Sequence, residues 1–139
     1  MRVVADTNVV VSALLWSGLP SHLVTAAEAH RITLYTSPAL TEELRGILTR
    51  PRFVARLRHL HTTAEQVLAG YLKLAHLVLP SPLPQVVIQE DPTDDIVLAC
   101  ALAAQAHYVI TGDWHVLRLK IYQNVQIVSP RTFLSAALR

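Results

Sequence analysis

Four carboxylates in this 139-residue chain stand where solubility alone does not explain them. The chain has only ten acidic residues, and most of them are expected on the surface. Four fall instead at the ends of apolar segments or beside the apolar side of a helix: Asp6, Glu43, Asp95 and Asp113. If they are gathered in one place, such acids raise one another's pKa values unless a cation neutralises them. Oxygen ligands suit Mg²⁺ or Mn²⁺, and paired metals of this kind suit hydrolysis of phosphodiester bonds.

Asp6 and Asp113 each follow an apolar run that is predicted to be a strand. Asp6 comes directly after residues 2–5, and Asp113 follows residues 108–111. In open parallel sheets, ligands bind beyond the carboxyl ends of the strands, so both residues stand where a binding site is expected. Each residue could equally be the N-cap of the helix that follows it. The residues alone leave both roles open.

Glu43 is distinguished from its neighbour Glu42 by helix phase. Glu43 comes three residues after Leu40 and four before Ile47, so it borders the predicted apolar stripe of its helix. Glu42 lies nearly opposite the centre of that stripe and is predicted to be solvated. A carboxylate at the border of a core must be paired, hydrogen-bonded or bound to a metal.

Four of the ten acids lie within residues 90–95. Asp91, followed by Pro92, is explained as the N-cap of a helix that begins with proline. Asp94 and Asp95 fall in the predicted first turn, where negative charge suits the helix dipole. That explanation accounts well for one of them, because two adjacent acids repel each other. Asp95 begins a row of residues along one helix face and is therefore a candidate ligand.

The elements that must position these acids alternate between strand and helix, which predicts an α/β fold with a mainly parallel sheet and helices on both faces. The predicted strands cover residues 2–5, 32–36, 76–79, 108–111 and 125–128. The predicted helices cover residues 9–16, 21–29, 38–49, 51–60, 63–75, 93–106, 114–117 and 131–138. A capping box is predicted at residues 62–65, where the helix to residue 75 begins.

The composition favours one soluble globular domain over residues 1–139. Hydrophobic residues make up 52% of the chain and charged residues 16%, which excludes disorder. The longest apolar run, residues 96–104, is far shorter than the roughly 20 residues that a membrane-spanning helix needs. Without a signal peptide, the protein is expected in the cytoplasm. The single cysteine excludes an internal disulfide and a cysteine-based zinc site.

The acidic segments also resemble, in order and over essentially the whole chain, the motifs of PIN-domain nucleases. The matching segments are residues 6–13 (Asp-Thr-Asn-Val-Val-Val-Ser-Ala), 37–44, 91–95, 109–113 and the closing 128–134. The chain is most similar to the toxin–antitoxin branch, whose members resemble VapC-type toxins. This resemblance implies a three-layer α/β/α sandwich with about five strands. It also implies a Mg²⁺- or Mn²⁺-dependent endoribonuclease, often dimeric, with an antitoxin as a further partner.

The resemblance also assigns individual positions. The family's acids match Asp6, Glu43, Asp95 and Asp113. The polar positions that place metal or water in relatives match Thr7, Asn8 and Thr111. Asp94 competes with Asp95 for the third acidic position, because the double acid leaves the register open by one residue. After Asp113, Trp114 and His115 stand where relatives usually have small or charged residues.

The basic residues are concentrated in residues 45–63, where no acid occurs. This segment follows the helix of Glu43, so it could border the acidic site and bind an RNA backbone. The candidates for that contact are Arg45, Arg50 and Arg52. Alternatively, the segment docks a partner protein such as an antitoxin.

Two other functions compete with the ribonuclease. The first is a PIN scaffold that binds RNA or protein without cleaving it. The second, less favoured, is a phosphatase of the haloacid-dehalogenase type, which needs a second aspartate where Asn8 stands. The high proportion of hydrophobic residues and the small size of the chain favour a homodimer.

Overall fold

The computed structural model describes residues 1–88, 91 and 94–138. Within that part of the chain, the strands form one sheet and consist of β1 (Arg2–Ala5), β2 (Thr33–Thr36), β3 (His76–Leu77), β4 (Tyr108–Ile110), β5 (Ile121–Tyr122) and β6 (Val125–Val128). The α-helices are α1 (Thr7–Leu15), α2 (Ser21–Glu28), α3 (Pro38–Ile47), α4 (Pro51–His59), α5 (Ala64–Leu74), α6 (Asp95–Ala103), α7 (Trp114–Leu117) and α8 (Pro130–Thr132). A π-helix (Phe133–Ala137) follows α8.

The strand order is β3-β2-β1-β4-β6-β5, and all pairs are parallel except β5 with β6. This confirms the predicted α/β class and the mainly parallel sheet. The sheet has six described strands rather than about five, because β5 was not predicted. β5 and β6 form a hairpin whose turn residues Gln123 and Asn124 have φ values of 44° and 69°. A two-residue turn of this kind is usually signalled by Asn-Gly or Asp-Gly, and that signal is absent here.

The sheet is covered by helices on both faces, which confirms the three-layer architecture. Val3 and Ala5 of β1 belong to one core cluster, whereas Val4 belongs to the other. Helices α1, α2, α4 and α5 contribute to the first cluster, and α6 and α7 to the second. Alternate residues of a strand point to opposite faces, and both faces of β1 are covered, so residues 3–5 are all apolar and buried.

The capping box of α5 lies one residue later than predicted. The Thr63 hydroxyl accepts the Gln66 N–H at 3.1 Å, and the Gln66 side chain accepts the Thr63 N–H at 3.2 Å. The prediction of a box at residues 62–65 is therefore wrong by one position. The Thr62 hydroxyl instead donates to the Gln66 side chain at 3.0 Å.

Helix α6 begins later than the predicted start at residue 93. The Asp94 N–H donates to the Asp91 carbonyl at 2.9 Å. Asp94 stands at the N-cap position of α6, without a side-chain capping hydrogen bond. Pro92 and Thr93, which belong to the predicted start, lie outside the described residues. Among the helices that the structure does describe, none is long and apolar enough to cross a membrane.

Candidate active site

Strands β1 and β4 are neighbours at the point where the sheet reverses its order. From β1, the chain continues to β2 on one side, while β4 lies on the other. The Asp6 N–H donates to the Ile110 carbonyl at 2.9 Å, and the Thr111 N–H donates to the Val128 carbonyl at 3.0 Å. The sheet's hydrogen bonds thus extend to Asp6 and Thr111. The two residues stand at the topological switch point, where α/β sheets bind ligands.

The hydroxyl group of Thr111 connects Asp6 to Asp113. Thr111 is fully buried, and its Oγ1 donates to Asp6 Oδ2 at 2.8 Å. The same oxygen accepts the Asp113 N–H at 3.0 Å. The other oxygen of Asp6 accepts the Thr7 N–H at 2.8 Å, as an N-cap does. Capping and site positioning are therefore compatible roles of the same carboxylate.

Asp6 is a carboxylate held in an unfavourable environment for its charge. Burial raises the pKa of Asp6, and the negative charge of Asp113 adds to that effect. The hydrogen bonds from Thr111 and Thr7 act in the opposite direction and stabilise the charged form. Asp113 also caps α7, since its Oδ1 accepts the His115 N–H at 2.9 Å.

Asp94, at the N-terminus of α6, is the third acid of this group. Burial of the carboxyl group is the largest cause that raises the pKa of Asp94 to about 7. The negative charges of Asp113, Asp91 and Asp6 follow, and a hydrogen bond to the Asp113 side chain contributes further. The structure therefore brings Asp6, Asp94 and Asp113 within electrostatic reach of one another.

Asp95 is engaged elsewhere. Its two carboxylate oxygens accept the N–H groups of Val87 and Ile88, at 2.8 and 2.7 Å. Ile88 is fully buried, so these bonds fasten the preceding loop to the start of α6. Both oxygens of Asp95 therefore have backbone partners, whereas the neighbouring Asp94 interacts with the other acids.

Glu43 is half-buried on α3, as its helix phase predicts. Helix α3 packs against α1 and α6, whose first turns adjoin Asp6 and Asp94. Among the described residues, Glu43 has neither a hydrogen bond nor an ion-pair partner. Its neighbour Glu42 is exposed and pairs with Arg45 at 3.3 Å, so the predicted separation of the two glutamates by face agrees with their exposure.

The donor atoms at the switch point fit a hard divalent cation. Asp6, Asp94 and Asp113 offer only oxygen ligands, and they repel one another without a cation. The buried Thr7 hydroxyl beside Asp6 has no hydrogen-bond partner within the described structure. Over residues 1–88, 91 and 94–138, no three side chains of the His, Cys, Asp or Glu types stand close enough to form a ready-made metal centre. A cation would therefore have to draw these carboxylates together.

A cleft of about 410 Å³ opens at this site. Its described lining contains both strand-end acids and two polar residues of α1: Asp6, Asp113, Asn8 and Ser12. Ser12 was not singled out from the sequence, although its spacing of four residues from Asn8 places both on one helix face. A groove of about 440 Å³ lies between α2 and the C-terminal helix, but its described lining contains no carboxylate.

A second hollow of about 400 Å³ shares Asn8 and Ser12 with this cleft and is also lined by Arg50 and Arg52. The two hollows thus border the same face of α1 and connect the acids with two arginines. The Arg52 guanidinium lies 4.8 Å from the ring centre of Phe53. A stacked guanidinium of this kind keeps its N–H groups available for an anion.

Arg45, the other predicted contact, is engaged in surface ion pairs. Its guanidinium donates to Glu65 at 2.6 Å and to Glu42 at 3.3 Å. Those hydrogen bonds raise the pKa of Arg45, with Glu65 as the largest cause. Arg45 does not line either hollow described above.

The raised pKa of Asp94 predicts how pH affects stability and metal binding. In the folded protein this pKa is about 7, compared with 3.8 for an unperturbed aspartate. The contribution of Asp94 to the stability of the metal-free protein is thus fully present below pH 3.8 and is lost as pH rises through about 7. Because protons compete with the cation, we expect Mg²⁺ to raise the melting temperature more at about pH 8 than at about pH 6. Asp94→Asn should remove most of this pH dependence, and an unchanged profile in that variant would contradict the assignment.

Comparison with known proteins gives two matches of different kinds. A family model of the PIN domain matches residues 2–115. No curated protein sequence matches the chain. Among solved structures, the chain is similar to one in the crystal structure of VapBC2 from Rickettsia felis bound to a DNA fragment from their promoter. The TM-score is 0.60 and the sequence identity 17%, over 91% of this chain and 97% of that one. At this identity the similarity establishes the fold alone.

Proposed function

Because the chain belongs to the PIN-domain family, a family of nucleases, we propose that it is a Mg²⁺- or Mn²⁺-dependent endoribonuclease. The main supporting observation is the group of three interacting carboxylates at the switch point of the sheet. Acids that repel one another at a ligand-binding position gain most from a cation. A bound divalent cation supplies the activation of water and the neutralisation of phosphate charge that phosphodiester hydrolysis needs.

The residues of the site have distinct proposed roles. Asp6, Asp94 and Asp113 hold the cation, and Glu43 on α3 is the fourth acid of the site. Asp94 replaces Asp95 in the third role, because both oxygens of Asp95 are bound to backbone N–H groups. Thr111 orients Asp6 through the 2.8 Å hydrogen bond and so fixes one of the ligands. The unpartnered Thr7 hydroxyl and the cleft-lining Asn8 would supply polar groups for a bound cation or its water.

Cleavage of a labelled single-stranded RNA, with Mg²⁺, with Mn²⁺ and with EDTA, tests this function. We expect cleavage only with a divalent cation, and its loss in Asp6→Asn. The exposed acid Glu28, the last residue of α2, offers a matched control, because Glu28→Gln removes a charge that lines neither hollow. Cleavage in EDTA, or full cleavage by Asp6→Asn, would contradict the proposal.

Arg50 and Arg52 are proposed to bind the RNA backbone, since the hollow they line adjoins the acidic cleft. Each arginine-to-alanine change should weaken RNA binding. It should also reduce the slope of log association constant against log salt concentration by about 0.7 in magnitude. Arg45→Ala is the matched control, because Arg45 is already paired with Glu65 and lines neither hollow. Binding measured by fluorescence anisotropy over a salt series distinguishes the three variants. A slope that changes only in Arg45→Ala would show that Arg45, rather than Arg50 or Arg52, contacts the RNA backbone.

A role as the toxin of a toxin–antitoxin pair is also proposed, with an antitoxin as partner in the cytoplasm. The similarity of fold to a chain of the VapBC2 complex supports it. Growth arrest on induction of the wild-type chain, but not of Asp6→Asn, is the expected result. Harmless expression of an active nuclease would favour a housekeeping role.

A homodimer is proposed from the apolar edge of the sheet. β3 is an edge strand, and Leu77 and the following Leu79 are 56% and 79% exposed. Exposed apolar residues along a sheet edge invite pairing with another chain. Sedimentation equilibrium should give twice the 15.4 kDa chain mass, and a monomer at micromolar concentration would contradict the proposal.

A PIN scaffold that binds RNA without cleaving it is the second candidate. The observation in its favour is that no ready-made three-residue metal centre exists among the described residues. The cleavage assay above separates the two candidates, because a scaffold binds RNA equally well but releases no product with either cation.

A further inference from the structure

Trp114 is the most exposed aromatic side chain of the protein. All phenylalanine, tyrosine and tryptophan residues are described, and Trp114 is 69% exposed. The other tryptophan, Trp16, is 36% exposed and packs edge-to-face on Phe53 with a centroid distance of 5.9 Å. Trp114 makes no ring contact or cation–π contact with the described residues. Its indole faces are therefore open to a ligand.

The backbone that presents this indole is firmly held beside the carboxylate group. Trp114 directly follows Asp113, whose N–H is bound to Thr111 and whose carboxylate accepts the His115 N–H. The Asp113 carbonyl accepts two further N–H groups, from Val116 at 3.1 Å and Leu117 at 2.9 Å. Val116 is fully buried and fastens α7 to the core. The Cα atom of Trp114 is thus fixed about 3.8 Å from that of a proposed metal ligand.

We propose that Trp114 is a stacking platform for an unpaired base of the RNA, next to the phosphate group that is cleaved. The proposal rests on the ribonuclease function above and adds a binding site for a nucleobase. An exposed indole on a rigid turn stacks on a base with little loss of side-chain freedom. Because every base has a π-face, this contact selects single strands rather than a particular sequence.

The surroundings of Trp114 favour a nucleic acid over a protein partner. The acidic Asp113 precedes it directly in the chain, and charged residues are depleted from the cores of protein interfaces. The apolar edge formed by Leu77 and Leu79 belongs to β3, at the opposite end of the sheet order from β6 and β5, which follow α7. Because Trp114 follows Asp113 in the chain, a base that stacks on Trp114 would lie beside the cleft that Asp113 lines.

Fluorescence provides the first test, because the chain contains only two tryptophans. In Trp16→Phe, Trp114 is the sole tryptophan, and EDTA prevents metal-dependent cleavage. An oligouridylate of roughly ten nucleotides, within the site sizes of single-strand binders, should quench the Trp114 emission in a saturable manner. A duplex of the same length should quench it much less. An emission that RNA leaves unchanged, while anisotropy shows that the RNA is bound, would overturn the proposal.

Matched variants and substrates provide the second test. Trp114→Ala should raise KM by roughly 5- to 150-fold, which corresponds to the stacking free energy of one base. Its kcat should stay within about a factor of three, and Trp114→Phe should keep most of the affinity. Removing one base from the RNA, as an abasic nucleotide beside the cleaved bond, should weaken wild-type binding but not that of Trp114→Ala.

The outcomes separate this proposal from the function on which it rests. Equal KM values for wild type and Trp114→Ala, with cleavage intact, would overturn the stacking role and leave the nuclease standing. Absence of cleavage by the wild-type protein would overturn both. If Trp114 emission depends on protein concentration without RNA, and Trp114→Ala weakens self-association, the residue is a subunit contact and the proposal is wrong.

Discussion

Replacing Asp94 by asparagine is expected to reduce metal-dependent RNA cleavage by at least about 100-fold, more than the loss of an outer-shell partner costs. The reason is that Asp94 interacts with Asp6 and Asp113, and these three carboxylates are the proposed ligands. Single-turnover cleavage rates at saturating Mg²⁺, and then at a series of Mg²⁺ concentrations, measure the effect. Partial recovery at high Mg²⁺ is expected if the variant loses metal affinity rather than the chemical step.

Asp95→Asn is the matched control for this prediction, because the same change occurs one residue away. We expect its cleavage rate to stay within about a factor of five of wild type, while its free energy of unfolding falls by roughly 1–3 kcal/mol. The lower stability follows from the loss of one charged acceptor for the Val87 or Ile88 N–H group. If Asp95→Asn loses cleavage and Asp94→Asn keeps it, the third ligand is Asp95 and the assignment is wrong.

Replacing Thr111 by valine is expected to lower the cleavage rate by about 10- to 100-fold, which is typical of lost outer-shell partners. Valine has a similar shape, but it removes the hydrogen bond to Asp6 and leaves the Asp113 N–H without its acceptor. The pKa of Asp6 should also rise further, because the Thr111 hydrogen bond lowers it. Stability should fall by roughly 1–3 kcal/mol, since the site is fully buried.

Thr111→Ser separates the hydroxyl group from the methyl group at this position. Serine keeps the donor and the acceptor, so most of the activity should return, with a modest loss of stability from the missing methyl. The pH dependence of cleavage distinguishes a site effect from general unfolding: in Thr111→Val its acidic limb should move to higher pH. An unchanged acidic limb together with a full rate would contradict the bridging role.

The two strand-end acids could be predicted from the sequence because their placement is local. A buried strand of a parallel sheet is apolar throughout, so the first polar residue after it marks the carboxyl edge. Asp6 is the first polar residue after β1, Asp113 lies two residues beyond Thr111, the first polar residue after β4, and the structure joins the two acids through Thr111. The half-burial of Glu43 could also be predicted locally. It follows from the position of Glu43 in the helix relative to Leu40 and Ile47.

The third acid could not be chosen from the sequence, because the choice depends on contacts that are not local. Asp94 and Asp95 are adjacent, and both suit the first turn of a helix. What separates them is the loop before α6, whose Val87 and Ile88 N–H groups need acceptors and take both oxygens of Asp95. The start of α6 at Asp95, with the Asp94 N–H bound to the Asp91 carbonyl, also differs from the predicted start. Neither feature is marked by a periodic pattern of residues in the sequence.

Arg45 illustrates the same difficulty for the basic segment. Arg45 lies in a segment without acids, which suggested that its guanidinium is free to bind RNA. In the structure, that guanidinium binds Glu65 of α5, twenty residues later in the chain. Only the packing of α3 against α5 brings these residues together. Charge patterning singles out the segment, and the tertiary fold decides which of its arginines line the hollow beside the cleft.

The most direct test of the central claim is the anomalous diffraction of a crystal soaked in Mn²⁺. We expect a peak within about 2.5 Å of carboxylate oxygens from Asp6, Asp94 and Asp113, the range in which hard cations bind oxygen. The same peak should be absent from a crystal of Asp94→Asn soaked under the same conditions. A peak at Asp95, or none near Asp6 at millimolar Mn²⁺ in the wild-type crystal, would contradict it.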